Sequence, residues 1–195
     1  MRCCSTGTAA RRGAWDQRPS SWAWRPGDRP RLIVRADPTG AGGVYLVDAE
    51  TLAAAPLPVP ATAYDVAFSP DGQRVLYATT EGLGRGSALW LMNADGSGAT
   101  LLLDDPQHVV ARPRWSPDGE RWAYIRMPDS AAPFPIGELW VMDSAGARRL
   151  SDRADAGHGY PPAWSPDGQS IVFVTWGSGD ADGLARRVYL ADPAK

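Results

Sequence analysis

The sequence predicts an all-β fold: a β-propeller of four-stranded antiparallel blades, about four of them, three complete and one partial, and so open or incomplete. Three observations predict it. A turn tetrad recurs, a strand motif recurs in register with it, and the repeat period matches that of a propeller blade.

The tetrad is Ser-Pro-Asp-Gly after an aromatic residue, at Phe68 to Gly72, Trp115 to Gly119 and Trp164 to Gly168. Pro pre-sets φ near about −65° for the second position of a turn, Asp suits the third, and Gly supplies the positive φ that closes it. Each copy is followed by an apolar, strand-prone run: Val75-Leu76-Tyr77-Ala78, Trp122-Ala123-Tyr124-Ile125 and Ile171-Val172-Phe173-Val174. Strand, tight turn and strand make a β-hairpin.

A degenerate first copy is visible at Trp22-Ala23-Trp24-Arg25-Pro26-Gly27-Asp28, with Gly and Asp transposed and Leu32-Ile33-Val34 following one residue late. Spacings between Pro26, Pro70, Pro117 and Pro166 are 44, 47 and 49 residues (70 − 26, 117 − 70, 166 − 117). Periods of about 40 to 50 residues with several strands each indicate propeller blades.

The second motif fixes the register. Val44-Tyr45-Leu46-Val47-Asp48, Leu89-Trp90-Leu91-Met92-Asn93, Leu139-Trp140-Val141-Met142-Asp143 and Val188-Tyr189-Leu190-Ala191-Asp192 align without a gap. Each ends in Asp or Asn, usually before a Gly-bearing turn. A shorter outer strand is expected near Ala55 to Pro58, Thr100 to Leu103 and Arg148 to Leu150, and none for the fourth unit. The blades are expected at about 22–58, 64–103, 111–150 and 160–192, after a disordered or loosely attached segment over 1–20. Stacking such sheets face to face buries both faces. The aromatics before each tetrad and in the third strand are the natural filler, since a buried Trp removes about 150–250 Å² of surface from water.

Composition narrows the function. The 195 residues carry a formal net charge of −2, with no basic field to recommend a nucleic-acid partner. The 21 Gly and 18 Pro, spread along the chain, suit many short strands and turns. Cys3 and Cys4 are adjacent and offer neither a disulfide framework nor a zinc spacing. No stretch is long enough to span a bilayer, and Met1 to Trp15 lacks the apolar region of a signal peptide, so the chain taken literally is cytoplasmic.

With these motifs in place, the chain resembles the TolB-type, WD-like β-propeller repeat family over about residues 22 to 193. The resemblance implies a propeller, a periplasmic or secreted setting where a longer N-terminus exists, and a non-enzymatic role binding a protein or peptide. Similar blades also serve as gating propellers of prolyl-oligopeptidase-like serine peptidases, which makes an accessory propeller or fragment of such an enzyme the alternative. Family members usually close with about six or more blades. Fewer than four complete blades here read as a piece of a larger ring, or as an arc that self-associates through its open faces.

No catalytic residue, cofactor or metal site is assigned. Gly84-Arg85-Gly86-Ser87-Ala88 lacks the final Gly of a nucleophile elbow, and His108 and His158, the only histidines, sit in no catalytic motif. Gly177 to Gly183 carries alternating Asp like a calcium loop, but without the further acidic ligands; it reads as a connection between the second and third strands of its blade. Candidate binding residues lie around the blade-to-blade connections, Asp104 to His108 and Ser151 to Tyr160: His108, Arg112, Asp155, His158 and Tyr160. Loops on a rigid scaffold are the usual place for binding, and solvated turn polarity is the plain alternative.

Overall fold

The structure, a computed structural model, describes residues 21–27, 31–36, 43–131, 136–155, 160–176 and 186–194. Expectations for residues 1–20, for His158 and for the Gly177 to Gly183 loop fall outside these residues. Four antiparallel sheets are built by sequence neighbours pairing in order. The first holds β1 (Ser21–Arg25), β2 (Arg31–Ala36), β3 (Gly43–Asp48) and β4 (Ala54–Pro56); the second β5 (Ala63–Phe68), β6 (Arg74–Thr80), β7 (Ser87–Asn93) and β8 (Thr100–Asp105). The third holds β9 (His108–Trp115), β10 (Trp122–Pro128), β11 (Ile136–Asp143) and β12 (Gly146–Asp155), and the fourth β13 (Ala163–Trp164), β14 (Ile171–Trp176) and β15 (Arg186–Ala191). Among the described residues no strand pairing joins one sheet to another, the first and fourth included. The result is an open, partial propeller held together by side chains between sheets.

Strand alternation explains how. Successive side chains of a strand point to opposite faces, so each inner strand serves two neighbours. On β6, Val75 and Tyr77 enter the core against the first sheet, while Leu76 and Ala78 enter the core against the third. On β10, Trp122 and Tyr124 face the second sheet, while Ala123 and Ile125 face the fourth. The third-strand aromatics lie on their own sheet's cross-strand partner: half-buried Trp90 on Tyr77 (6.3 Å), half-buried Trp140 on Tyr124 (6.5 Å) and exposed Tyr189 tilted on Phe173 (5.9 Å).

The tetrad geometry is the same three times. Gly72, Gly119 and Gly168 have φ of 67°, 73° and 69°, and their N–H groups donate to the carbonyls of Ser69, Ser116 and Ser165. The serine does more than fill the turn. Its Oγ donates to the tetrad Asp and accepts the N–H of Arg74, Arg121 or Ser170, at 2.9 Å each. The Asp carboxylate then takes the N–H two residues on, from Gln73, Glu120 or Gln169 at 3.0 Å. These hydrogen bonds satisfy main-chain donors that would otherwise be stranded at the strand ends.

A second device ties sheet to sheet. Arg25, Arg74 and Arg121 donate to the carbonyls of Gly72, Gly119 and Gly168 in the following sheet, at 2.9, 2.9 and 3.1 Å. Their guanidiniums stand over Phe68, Trp115 and Trp164 at 5.9, 4.9 and 4.9 Å. The Trp115 and Trp164 indoles reach back to the carbonyls of Ala67 and Arg114.

Two of the outer strands run further than the sequence suggests. β8 continues to Asp105 opposite Ser87, and β12 to Asp155 opposite Ile136. Bulges at Leu89/Trp90 and Gly137/Leu139 absorb the extra residues. Polar runs such as Ser151 to Asp155 resemble loops in sequence, yet an outer strand needs only its backbone ladder and tolerates polar side chains.

Candidate functional site

At the end of the second and third sheets opposite the tetrads, β8 passes to β9 through a two-residue turn, Pro106-Gln107. Asp105, the last residue of β8, organises it. Its Oδ1 lies 3.0 Å from His108 Nδ1 and accepts the Gln107 N–H at 3.3 Å, while its Oδ2 takes Arg126 Nε at 2.5 Å. Burial pushes the Asp105 carboxyl up, but the hydrogen bonds from Arg126, His108 and Gln107, with the Arg126 charge, outweigh it and hold the group below the usual carboxylate range. Arg126 goes on to Glu138 at 3.3 Å and lies over Trp140 at 5.4 Å. Glu138 also accepts from Arg149 (2.7 Å) and the Trp140 indole (2.8 Å). Its carboxyl too is lowered: burial raises it, and Arg149, Trp140 and Arg126 outweigh that. The chain His108–Asp105–Arg126–Glu138–Arg149 therefore fixes one rim of the face with side chains from β8 to β12.

Ser87, at the start of β7, stands beside this turn. Its hydroxyl donates to the His108 carbonyl (3.2 Å) and accepts the Val110 N–H (2.6 Å). Those hydrogen bonds go to the main chain, so Ser87, His108 and Asp105 meet as a structural clasp and not as a nucleophile with its base. Among the described residues no three His, Cys, Asp or Glu side chains gather to hold a metal ion.

Arg112 lies within β9, the innermost strand, with φ 55°, beside a bulge against β10. Asp65 occupies the same register on β5, three residues before the tetrad aromatic, with φ 47° and a bulge against β6. The two meet: the Arg112 N–H donates to Asp65 Oδ2 at 3.1 Å. Left-handed non-glycine residues at bulges re-aim side chains and cost energy that surrounding structure must offset. Here an inter-sheet hydrogen bond and the half-buried Tyr64, whose hydroxyl donates to the Val110 carbonyl (2.7 Å), supply that support.

Asp155 ends β12 as Asp105 ends β8, and it is buried; Tyr160, which opens the stretch into β13, is exposed. The structure thus puts His108 and Arg112 on β9, each with its own support from the second sheet, and Asp155 and Tyr160 around the next junction. Sequence reading missed Asp65, Ser87, Arg126, Glu138 and Asp129, whose carboxylate takes the Gly86 N–H (2.8 Å) across the loops of neighbouring sheets. One signal was available: Asp65 and Arg112 share a register relative to Phe68 and Trp115.

This architecture has known counterparts. The chain is 37% identical over 93 residues to the Tol-Pal system protein TolB of Anaeromyxobacter dehalogenans, covering 48% of this chain and 20% of that protein. The structure of a putative TolB from Agrobacterium tumefaciens superposes with a TM-score of 0.67 at 22% identity, over 92% of this chain and 60% of that one. The chain resembles the TolB-type β-propeller. A second relative, the uncharacterized peptidase YuxL of Bacillus subtilis, is 32% identical over 125 residues, 60% of this chain and 18% of that protein. No family model matches the chain. It spans about one fifth of the length of the curated relatives it matches, TolB proteins and peptidase alike.

Proposed function

We propose that this chain is a non-enzymatic, TolB-like propeller module that binds a protein or peptide, with His108, Arg112, Asp155, His158 and Tyr160 as its binding residues. The observation that supports it is the pinned junction between β8 and β9: half-buried His108 is held by Asp105, and the main chain of Arg112 by Asp65, on a scaffold of packed sheets. Preorganisation of this kind lowers the entropic cost of binding. Asp155 is buried at the end of β12, and exposed Tyr160 offers an aromatic anchor of the sort enriched at interfaces.

Selection of displayed peptides on the immobilised chain tests this reading. Peptides that bind are expected to lose at least about tenfold in affinity, roughly 1.4 kcal/mol, on the His108→Ala/Tyr160→Ala double variant with unchanged circular dichroism. Undiminished binding to that variant moves the site elsewhere. The match to a peptidase favours a second reading, an accessory propeller that gates substrate for a prolyl-oligopeptidase-like serine peptidase. A hydrolase domain in the flanking reading frame supports that reading, and its absence there removes it.

A further inference from the structure

The repeat register singles out two arginines on the inner strands. The residue before the aromatic of each turn is Ala67 on the second sheet and Ala163 on the fourth, and on the first Ala23 precedes Trp24. On the third sheet that position holds Arg114. The backbone duty there is unchanged: the Arg114 carbonyl accepts the Trp164 indole N–H at 3.0 Å, as the Ala67 carbonyl accepts that of Trp115 at 3.2 Å. An alanine serves that duty, so the long, charged side chain of Arg114 is surplus to the repeat. Arg112, two residues earlier, is also peculiar to the third sheet, where the second has Asp65 and the fourth Pro161.

Neither arginine has a carboxylate of its own. Among the described residues no ion pair includes Arg112 or Arg114. Nη1 of half-buried Arg114 donates to the adjoining Pro113 carbonyl at 2.8 Å. Nη1 of Arg112 is buried and has no hydrogen-bond partner among the described residues. Burial pushes the Arg114 guanidinium below its ordinary value; the Asp65 charge opposes that, and the Arg112 charge adds to it. Two guanidiniums thus share Asp65, whose Oδ2 already accepts the Arg112 N–H. One positive charge is left over in partly buried surroundings, where charges are normally paired. Asp65 and Arg112 hold this arrangement in left-handed backbone, with φ of 47° and 55°. The second and third sheets each pack on a neighbour to either side, so the pair stands away from the outer faces of the arc.

We propose that Arg112 and Arg114 form a carboxylate-binding site at the junction of the second and third sheets, which takes an acidic side chain or the C-terminal carboxylate of a peptide. That the ligand is a peptide rests on the binding role proposed above; the preference for a carboxylate rests on the two arginines. A guanidinium presents parallel N–H donors that match the two oxygens of a carboxylate. A single uncompensated positive charge matches a monoanion.

Nuclear magnetic resonance of the isotope-labelled 195-residue chain tests it, reading the Nε–H signals of Arg112 and Arg114 while sodium acetate replaces sodium chloride at constant ionic strength. Both signals are expected to shift together and to saturate. Arg112→Gln is expected to weaken the acetate response of Arg114 at least about tenfold. Asp65→Asn keeps an oxygen for the Arg112 N–H but loses the charge, and is expected to tighten acetate binding at least about threefold. A purely structural role for the arginines would produce neither change. Circular dichroism checks each variant, and the titration of the unaltered chain decides by itself should a variant unfold. Acetyl-Gly-Gly-Asp-Gly-Gly-amide and acetyl-Gly-Gly-Gly with a free carboxyl then separate the two sources of carboxylate; acetyl-Gly-Gly-Gly-amide, which carries neither, is expected not to bind. An acetate response that never saturates overturns the proposal. So does an equal response to the uncharged peptide, or saturation by acetate while neither carboxylate peptide moves the signals. Displayed peptides that bind through His108 and Tyr160 while acetate fails here leave the binding role standing without this site, so the two failures are told apart.

Discussion

The guanidinium of Arg74 stands 4.9 Å above the ring of Trp115, joining the second sheet to the third where, among the described residues, no backbone hydrogen bond does. The same side chain donates to the Gly119 carbonyl at 2.9 Å, which fixes the turn that carries Trp115. Arg74→Ala removes both contacts. A cation–π contact is worth about 0.5–1 kcal/mol where water reaches it, and a hydrogen bond from a charged group about 1.5–3 kcal/mol. A loss of about 2 kcal/mol is expected in urea unfolding. Arg74→Lys should recover part of it, since a point charge can stand over the ring but cannot hold the fork geometry. An unchanged urea midpoint in Arg74→Ala would show that the sheets are joined by apolar packing alone.

Two tetrad glycines separate backbone strain from crowding. Both Gly119 and Gly72 have positive φ, so any side chain there meets the left-handed penalty of roughly 1–2 kcal/mol. A Cβ on Gly119 would meet Pro70 Cδ at 3.6 Å, an ordinary contact, whereas one on Gly72 would meet the Pro26 carbonyl oxygen at 2.5 Å. Gly119→Ala should therefore cost about 1–2 kcal/mol, and Gly72→Ala distinctly more. Equal thermal shifts for the two variants would remove the close approach of the first and second sheets.

These turns also show what was legible in the sequence. Ser-Pro-Asp-Gly predicts a turn because three of its residues have local backbone reasons to be there, and local causes can be read from one stretch of chain. Strand register was legible for the same kind of reason: Tyr77↔Trp90 and Tyr124↔Trp140 sit opposite each other because the aromatic recurs at fixed spacing. The role of Arg74 and Arg121 was not. Each acts on a residue about 45 positions away, through a geometry that exists only once sheets stack. The candidate site divides likewise. His108 stands out as one of two histidines, but Asp65 and Arg126 become partners only through inter-sheet packing and cross-strand pairing.

The inner-strand tryptophans divide into packing and hydrogen-bond contributions. Trp115 is buried and its indole donates to Ala67; Trp164 is half-buried and donates to Arg114 at 3.0 Å. Trp115→Ala should cost about 3–5 kcal/mol from the cavity it leaves. Trp164→Phe keeps a ring beneath Arg121 but loses the donor, and about 1 kcal/mol is expected. Phe68 already shows that the register accepts a ring without a donor. If Trp164→Phe costs as much as Trp115→Ala in the same denaturant series, the indole N–H and not the ring area holds the fourth sheet.

The Asp105 junction makes stability depend on acid in a defined direction. Its carboxyl is lowered in the folded chain, so its contribution is fully present above the ordinary carboxylate pKa of about 4 and is lost as pH falls through the lower folded value. Protonation there takes the counter-charge from Arg126 and a hydrogen-bond acceptor from His108 and the Gln107 N–H. The tetrad carboxyls of Asp71, Asp118 and Asp167 are lowered as well, so the acid limb belongs to several groups. Asp105→Asn should therefore make the fall in thermal midpoint below about pH 4 shallower without abolishing it. It should also lower the midpoint at neutral pH, where Arg126 keeps Glu138 but loses its closer partner. Melts recorded from pH 7 down to about pH 2 read both effects. An Asp105→Asn curve parallel to that of the unaltered chain would mean that the carboxylate is not paired in solution, and the rim bearing His108 would then have no fixed geometry to offer a partner.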